Sequence, residues 1–247
     1  MNGYSAAPGI IRERLARLEE QIADACRRAG RARTEVTLMA VSKMHPAAAI
    51  LEAASLGIAL FGENRVQEFQ KKHAEIAPSG PPIEVHLIGH LQSNKSARAV
   101  ELFSAIDTLD SVRLAERLNE AAAELKRRLP VMLEIKLSPE ESKSGLDPGS
   151  SELRELLERL PALASLELRG MMTVPPWSED PETARPYFKR LRALRDQFAT
   201  VHPDLHFSEL SMGMSHDFAV AIEEGATQIR IGTGLFGPRP RDTQGAA

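Results

Sequence analysis

The sequence is poor in cysteine and in aromatic residues. Of its 247 residues one is a cysteine, Cys26, and only 4% are Phe, Trp or Tyr. A single thiol excludes an intramolecular disulfide and a metal site built from several cysteines. It is typical of proteins in reducing, intracellular compartments, so we expect a cytoplasmic location. The scarcity of aromatic rings disfavours nucleic-acid modules that stack bases on them.

Long apolar runs and an excess of basic charge are also missing. No window approaches the roughly 18 uninterrupted apolar residues of a membrane span, and residues 1–9 lack the pattern of a signal peptide. The net charge is −3, whereas nucleic-acid-binding domains are usually basic. With 43% hydrophobic and 26% charged residues, the composition is that of an ordinary globular protein.

Short apolar runs alternate with amphipathic stretches along the chain. Many of the runs are apolar on both faces, which is typical of buried parallel strands. Each interval between runs can hold a helix, as parallel neighbours require. Within these intervals, Pro46 and Gly57 are predicted to bound one helix, and Ser111 to cap another. The eight predicted strands begin near Val36, Gly57, Glu84, Ala105, Val131, Leu168, Glu209 and Gln228.

Eight such units predict an α/β fold, a single (β/α)8 TIM barrel. We expect residues 1–247 to form one domain, with a core at about residues 10–239 and a short tail at each end. An amphipathic helix precedes strand one. Because no helix is expected behind strand eight, the first helix would cover the gap between strands eight and one. An open doubly wound sheet is the alternative.

Two cationic residues have unusual positions: Lys43 at the end of a predicted strand, and Arg230 within one. Lys43 leaves strand one, and barrel active sites lie at the C-terminal ends of strands. Partial desolvation there would lower its pKa and favour Schiff-base formation with an aldehyde; a solvated lysine is the alternative. Arg230 lies between Ile229 and Ile231. If it points into the barrel it needs an acceptor, either a structural carboxylate or the ring nitrogen of a ligand.

Loops rich in Ser and Gly follow the last two predicted strands. In barrels, phosphate groups bind at these positions. We expect the first loop to open onto a helix capped by Ser215, whose N-terminus would attract an anion. The hydroxyls of Ser215 and Thr233 would add donors. Two ordinary turns are the alternative. Lys143, after strand five, is either a further phosphate contact or a solvated loop residue.

Two patterns are discounted. Residues 232–237 match GxGxxG by letter, but the dinucleotide fingerprint also needs a following helix and an acidic residue, which this stretch lacks. His86 and His90 lie four apart on one strand face, yet no third metal ligand is near them in the sequence. His90 could contact a ligand, with packing or solvent contact as the alternative.

Taken together, seven segments resemble one family, the pyridoxal phosphate homeostasis proteins. They occur in order and at predicted strand ends, from about residue 36 to 239. The segments are AVSK (40–43), FGENRVQE (61–68), HLIGHLQSNK (86–95), SKSG (142–145), RGMM (169–172), LSMGMS (210–215) and RIGTGLFG (230–237). Met44, His45 and His216 depart from the residues expected at those positions, although none is expected to touch a Schiff base.

The resemblance implies a barrel of the alanine racemase N-terminal-domain type, fold type III among pyridoxal 5′-phosphate (PLP) proteins, without the additional β-domain of the racemases. PLP is the implied cofactor, held on Lys43 as a Schiff base, and Arg230 would face the pyridine nitrogen. No metal and no catalytic residue is implied. The implied phosphate contacts are Ser211, Met212, Ser215, Gly232 and Thr233, and the implied cofactor lining is Asn64, Ile88, Gly89 and His90.

This resemblance favours a binding protein over an enzyme. Two-base racemisation needs a second base opposite Lys43, which in alanine racemases is a tyrosine from a partner's β-domain. The chain has only Tyr4, in the N-terminal tail, and Tyr187, on a predicted helix. We therefore expect a monomeric PLP carrier that serves PLP-dependent apo-enzymes. A slow amino-acid racemase and a class I aldolase-like barrel are the alternatives.

Overall fold

Eight parallel strands close into a barrel. A computed structural model describes residues 9–76, 81–138 and 144–238. Each strand pairs with the next in chain order, and β1 pairs with β8. The TIM barrel is thereby confirmed and the open doubly wound sheet is excluded. The strands are β1 (Thr37–Val41), β2 (Leu60–Glu63), β3 (Glu84–Leu87), β4 (Ala105–Leu109), β5 (Leu129–Glu134), β6 (Leu166–Met172), β7 (Glu209–Met214) and β8 (Gln228–Ile231).

Helices surround the barrel, and within the described ranges none is both long and apolar enough to cross a bilayer. Two predictions of helix starts are confirmed: Pro46 directly precedes one helix, and the Ser111 hydroxyl caps another, accepting a hydrogen bond from the Leu114 amide at 3.3 Å. The helices are α1 (Ile10–Arg28), α2 (Ala47–Ser55), α3 (Val66–Ile76), α4 (Ser96–Leu102), α5 (Val112–Glu124), α6 (Ser151–Arg159), α7 (Arg185–Val201), α8 (Phe218–Glu223) and α9 (Thr233–Phe236).

Helix α1 occupies the place predicted for it beside strands one and eight. It buries Ile11, Leu18 and Ile22 and packs against α2, α8 and α9. The loop after α1 is also fastened to the barrel, because Arg31 donates to the carbonyls of Ile222 (2.9 Å) and Ala226 (2.7 Å). The first helix therefore closes the outer layer between α8 and α2.

The prediction that no helix follows strand eight is wrong. The single turn α9 comes directly after β8, and the Gly232 carbonyl accepts from the amides of Leu235 (3.0 Å) and Phe236 (2.9 Å). Both side chains are buried, and α9 packs on α1. Such burial of two apolar residues stabilises even one turn, which is too short to be stable by propensity alone.

Small and apolar side chains fill part of the barrel interior. A Cβ atom on Gly62 would lie 2.7 Å from the Met39 sulfur and 2.8 Å from a methyl carbon of Ile88. A larger residue here would therefore require the Met39 and Ile88 side chains to shift, because they already occupy the axis. Deeper in the barrel the interior is polar, with buried His86, Asp107 and Gln228 among others.

Candidate functional site

Lys43 lies at the C-terminal rim, immediately beyond β1. Hydrogen bonding to β2 continues one residue past β1, because the Ser42 amide donates to the Gly62 carbonyl at 3.1 Å. The Ser42 side chain is fully buried and donates to Glu63 on the outer side of the sheet, at 2.6 Å. Lys43, the next residue, lies in a turn beyond the strand. It is half-buried, as a partly desolvated amine requires.

A buried ion cluster holds both neighbours of Lys43. The Lys72 ammonium, on α3, donates to the Ser42 carbonyl at 3.0 Å and to Glu63 Oε1 at 2.8 Å, and it lies 2.7 Å from Glu68 Oε1. Glu68 in turn accepts from the Met44 amide at 2.5 Å. Met44 has a φ of 64°, a conformation that non-glycine residues rarely adopt. The Lys72 cluster thus fixes the backbone on each side of Lys43.

Burial dominates the electrostatics of Glu63, the innermost carboxyl of this cluster. The Glu63 side chain is fully buried, and desolvation raises its pKa above the ordinary value, although the ion pair with Lys72 opposes the shift. Its second oxygen, Oε2, has no hydrogen-bond donor. Lys72 is therefore the group that makes a charged Glu63 tolerable, and three acceptors around the ammonium leave it without a free N–H for other chemistry.

The loops after β7 and β8 contact one another, but not in the way predicted. The Ser215 hydroxyl accepts hydrogen bonds from the amides of Gly232 (3.3 Å) and Gly234 (3.2 Å). It does not cap α8, which starts only at Phe218. The prediction of a Ser215 cap is wrong because Asp217 closes the turn instead, accepting from the Met214 amide at 2.5 Å.

These loops lie beside Lys43. Strands β1 and β8 pair in parallel with Ala40 opposite Ile231, so Lys43 and the Gly232–Thr233 loop leave neighbouring strands at the same rim. A Cβ atom on Gly232 would lie 3.5 Å from the Val41 carbonyl oxygen. Three adjacent strand ends, those of β7, β8 and β1, therefore bring hydroxyl and amide donors together with a lysine.

Arg230 points into the barrel, as one of the sequence interpretations required. Its Nη1 donates to the Ser211 carbonyl (2.7 Å) and hydroxyl (2.8 Å), and its Nη2 donates to the Thr173 carbonyl (2.8 Å). The acceptors are thus two main-chain carbonyls and a hydroxyl. Burial lowers the pKa of Arg230, while the charge of Asp107 opposes that effect.

The predicted lining residues of strands two and three meet in one cavity of about 300 Å³ at the same rim. A Cβ atom on Gly89 would lie 2.3 Å from the Asn64 carbonyl oxygen, so the ends of β2 and β3 can approach this closely only with glycine there. The buried Asn64 side-chain oxygen has no hydrogen-bond donor. The lining is Asn64, Ile88, Gly89, His90, Glu134, Ile135, Lys136, Leu137, Ser138, Ser144 and Val174.

Glu134 lines this cavity but was not among the site residues predicted from the sequence. Its carboxylate accepts from the Ser144 hydroxyl at 3.1 and 3.2 Å, and burial raises its pKa. His90 is more exposed and pairs with Asp110 Oδ2 at 3.0 Å. A glutamate that ends a buried apolar run, as Glu134 ends β5, was the available signal. Lys143 lies outside the described residues.

Two further predicted residues, Ser211 and Met212, are fully buried within β7. The Ser211 hydroxyl contacts Arg230 and, at 2.9 Å, the side-chain nitrogen of Gln228.

His86 contacts Asp107, with Nδ1 3.1 Å from Oδ1. Burial alone would lower the pKa of His86, but the charge of Asp107 raises it above the ordinary value. Among the described residues no three His, Cys, Asp or Glu side chains are grouped as a metal site would require.

Comparison with known proteins identifies the family. The alanine racemase N-terminal domain model matches residues 14–240. The pyridoxal phosphate homeostasis protein of Aquifex aeolicus is 43% identical over 227 residues, covering 92% of this chain and 97% of that protein. That of Escherichia coli K12 is 41% identical over 235 residues, covering 93% and 97% respectively.

Solved structures agree with these sequence matches. PipY of Synechococcus elongatus PCC7942, determined with PLP bound, superposes with a TM-score of 0.81 at 43% identity, covering 92% of this chain and 100% of PipY. Alanine racemase of Clostridium difficile 630 superposes with a TM-score of 0.68 at 16% identity, covering 95% of this chain and 58% of the racemase, and it shows the fold alone. The chain belongs to the pyridoxal phosphate homeostasis protein family, and its barrel is an alanine racemase N-terminal domain.

Proposed function

We propose that this protein binds PLP reversibly at the C-terminal rim, as a Schiff base on Lys43, and acts in PLP homeostasis. The observation that carries the proposal is that Lys43 follows β1, the strand next to β8, whose Gly232 loop is joined to Ser215. A relative of 43% identity, PipY, has been solved with PLP bound. The related curated proteins carry the name of this function.

The described residues fit PLP. A cavity of about 300 Å³ opens at this rim, lined by Asn64, Gly89 and their neighbours but not by Lys43 or Arg230. It is at the small end of ligand pockets, as suits a single aromatic ring with short substituents. The unpaired, buried Asn64 oxygen is a polar atom that a ligand in this cavity would satisfy. Amide and hydroxyl donors of the β7 and β8 loops are the groups that phosphate prefers. When bound, PLP supplies an aldehyde that condenses reversibly with amines.

In this proposal each side chain has one task. Lys43 provides the amine, and the Lys72 cluster keeps its backbone in place. The Ser215 and Thr233 hydroxyls provide donors to the phosphate, and Gly232, whose amide donates to Ser215, lets the loop approach it. Arg230, fixed by three acceptors, offers its remaining N–H groups to the pyridine nitrogen. A guanidinium there disfavours protonation of the ring, which makes the cofactor a weaker electron sink.

A carrier fits the described residues better than a racemase does. Racemisation by two bases needs a second proton donor opposite Lys43. Tyr187 is the one tyrosine within the described ranges, and it lies on α7, in the outer helical layer. We therefore propose a cytoplasmic, monomeric carrier whose recipients are PLP-dependent apo-enzymes, with release by amines that exchange with Lys43.

The test is an absorption spectrum followed by chemical trapping. The purified protein incubated with PLP should show a visible band, and borohydride reduction with peptide mapping should locate the adduct on Lys43. Lys43→Ala should abolish the adduct, whereas the matched control Lys136→Ala, which removes a lysine of the cavity formed with Asn64 and Gly89, should retain it. An adduct that survives Lys43→Ala would refute the assignment.

A second assay separates the carrier from the enzyme. The loaded protein is incubated either with a PLP-dependent apo-enzyme or with L-alanine alone. We expect recovery of the apo-enzyme's activity and no D-alanine. Sustained formation of D-alanine, dependent on Lys43, would establish a racemase instead. A colourless protein that PLP does not modify but a phosphosugar does would favour the aldolase-like alternative.

A further inference from the structure

A chain of buried polar side chains crosses the barrel and ends at Arg230. It begins with His86, whose Nδ1 lies 3.3 Å from Asp107 Oδ2. The side-chain nitrogen of Gln228 donates to Asp107 Oδ2 at 3.1 Å and to the Ser211 hydroxyl at 2.9 Å. The same hydroxyl accepts from Arg230 Nη1 at 2.8 Å.

The carboxylate of Asp107 fixes the orientation of the Gln228 amide. An amide nitrogen carries two hydrogens and no acceptor site. In Gln228 both hydrogens are used, one towards Asp107 and one towards Ser211. The flipped amide would place a carbonyl oxygen against a carboxylate oxygen, which is repulsive. Asp107 therefore makes Gln228 a donor to Ser211.

Gln228 in turn determines what Ser211 offers to Arg230. Two of the three acceptors of the guanidinium are main-chain carbonyls, which the sheet holds in place. The third is the Ser211 hydroxyl, and a hydroxyl rotates freely unless its partners fix it. With Gln228 donating to it, the oxygen presents its second lone pair to Arg230. Without that donor the hydroxyl oxygen is held by Arg230 alone and can rotate away from the guanidinium.

We propose that Asp107 and Gln228 are positioning residues, which hold Ser211 as an acceptor so that Arg230 keeps its free N–H groups aimed at the ring nitrogen of PLP. The inference rests on the proposed function, since it assigns Arg230 to that nitrogen. Asp107 and Gln228 themselves line a different cavity, of about 310 Å³, shared with Glu84 and Glu209, the first residues of β3 and β7. They thus act on the C-terminal rim only through Ser211 and Arg230.

The test compares PLP with its carbocyclic analogue, in which C–H replaces the ring nitrogen. Because the two ligands differ only at that atom, the ratio of their dissociation constants isolates the contact with Arg230. A hydrogen bond to a charged donor corresponds to a preference of about 10- to 100-fold. The ratio is measured for the whole protein and for Gln228→Met, which keeps a buried chain of similar length without its hydrogen bonds. The matched control is Thr227→Val.

Thr227 is the neighbour of Gln228 and also joins β7 to β8, accepting from the Leu210 amide at 2.8 Å, but it is not part of the polar chain. We expect Gln228→Met to reduce the preference for PLP by about tenfold and Thr227→Val to leave it unchanged. Asp107→Asn, which keeps an acceptor but loses the charge, should reduce it less. This second variant also serves if Gln228→Met does not fold.

Three results would overturn the proposal at different levels. An unchanged ratio in both Gln228→Met and Asp107→Asn would remove the positioning role and leave PLP binding intact. Equal affinity of the unmodified protein for PLP and the analogue would show that Arg230 does not contact the ring nitrogen. No binding of PLP to the unmodified protein would overturn the proposed function and this inference together.

Discussion

Replacing Lys72 by methionine tests whether the ion pair behind Lys43 stabilises the barrel. The Lys72 and Glu63 side chains are 9% and 0% exposed, with Nζ 2.8 Å from Oε1. Loss of the ammonium leaves Glu63 with the Ser42 hydroxyl as its donor. Breaking a buried pair from one side costs about 3–5 kcal/mol, and in a chain of this size that corresponds to a Tm lower by roughly 6–20 °C.

The loss of stability in Lys72→Met should depend on pH, and the pKa of Glu63 determines whether it grows or shrinks as the pH rises. Burial already raises the pKa of this carboxyl, and the charge of Lys72 opposes the rise. Without Lys72 the folded-state pKa rises further above the unfolded value. Stability contributed by the protonated group is then present at low pH and is lost as the pH rises through the folded-state pKa. Lys72→Met should therefore be more destabilising at about pH 8 than at about pH 5.5, since each unit of pKa shift is worth about 1.4 kcal/mol.

Urea unfolding at the two pH values measures both effects. Lys71→Met, an exposed lysine on the same helix, is the matched control and should stay within about 0.5 kcal/mol of the unmodified protein. Adding Glu63→Gln to Lys72→Met should recover part of the loss and remove its pH dependence. A Lys72→Met protein within about 1 kcal/mol of the unmodified one at both pH values would refute the reasoning.

Two smaller changes follow from local geometry. Ser111→Ala removes the cap that receives the Leu114 amide and should lower the free energy of unfolding by about 1 kcal/mol, whereas Ser55→Ala, exposed at the end of α2, should have little effect on the urea midpoint. Gly89→Ala would place a Cβ atom 2.3 Å from the Asn64 carbonyl oxygen. It should therefore weaken PLP binding in a titration, while Gly149→Ala, whose Cβ would have no atom nearer than 3.4 Å, should not. Binding unaffected by Gly89→Ala would contradict the place of this cavity in the site.

The barrel could be predicted because each strand carries its own local signal. The runs that begin near Glu84, Ala105, Glu209 and Gln228 start where β3, β4, β7 and β8 start. In contrast, the start near Gly57 lies before β2, which begins at Leu60, because the turn after α2 occupies the first residues of that run. Closure then followed from the number of units, since eight parallel strands bring β8 back to β1.

The two wrong predictions, on the Ser215 cap and on the helix after strand eight, concern features that depend on tertiary contacts. Ser215 is a good cap by residue type, but Asp217, two positions later, accepts from the Met214 amide and takes over the turn. The one-turn helix α9 exists because Leu235 and Phe236 pack against α1, more than 200 residues away in the sequence. Neither the Asp217 hydrogen bond nor the packing of α9 on α1 can be recognised from the local sequence pattern.

The sequence indicated which residues of the candidate site follow strands, but it did not indicate which residues hold them in place. Lys43, Ser215 and Gly232 follow strands, and the barrel topology alone brings them to one rim. The Glu63–Lys72 and Asp107–Gln228 contacts join residues 9 and 121 positions apart. Only one member of each contact gave a signal, an acidic residue within or at the end of an apolar strand, and such a signal does not reveal its partner.

The polar interior of this barrel is itself an argument for a bound ligand. TIM barrels usually fill the axis with branched aliphatic side chains, yet here Asp107, Ser211, Gln228 and Arg230 are all buried. Replacing buried charges by apolar residues of similar volume is often neutral or stabilising, so stability alone does not account for this arrangement. A guanidinium held by carbonyls and a hydroxyl, rather than paired with a carboxylate, retains N–H groups and charge for another acceptor. The interior therefore has the form expected if Arg230 completes its hydrogen bonds with a ligand at the C-terminal rim.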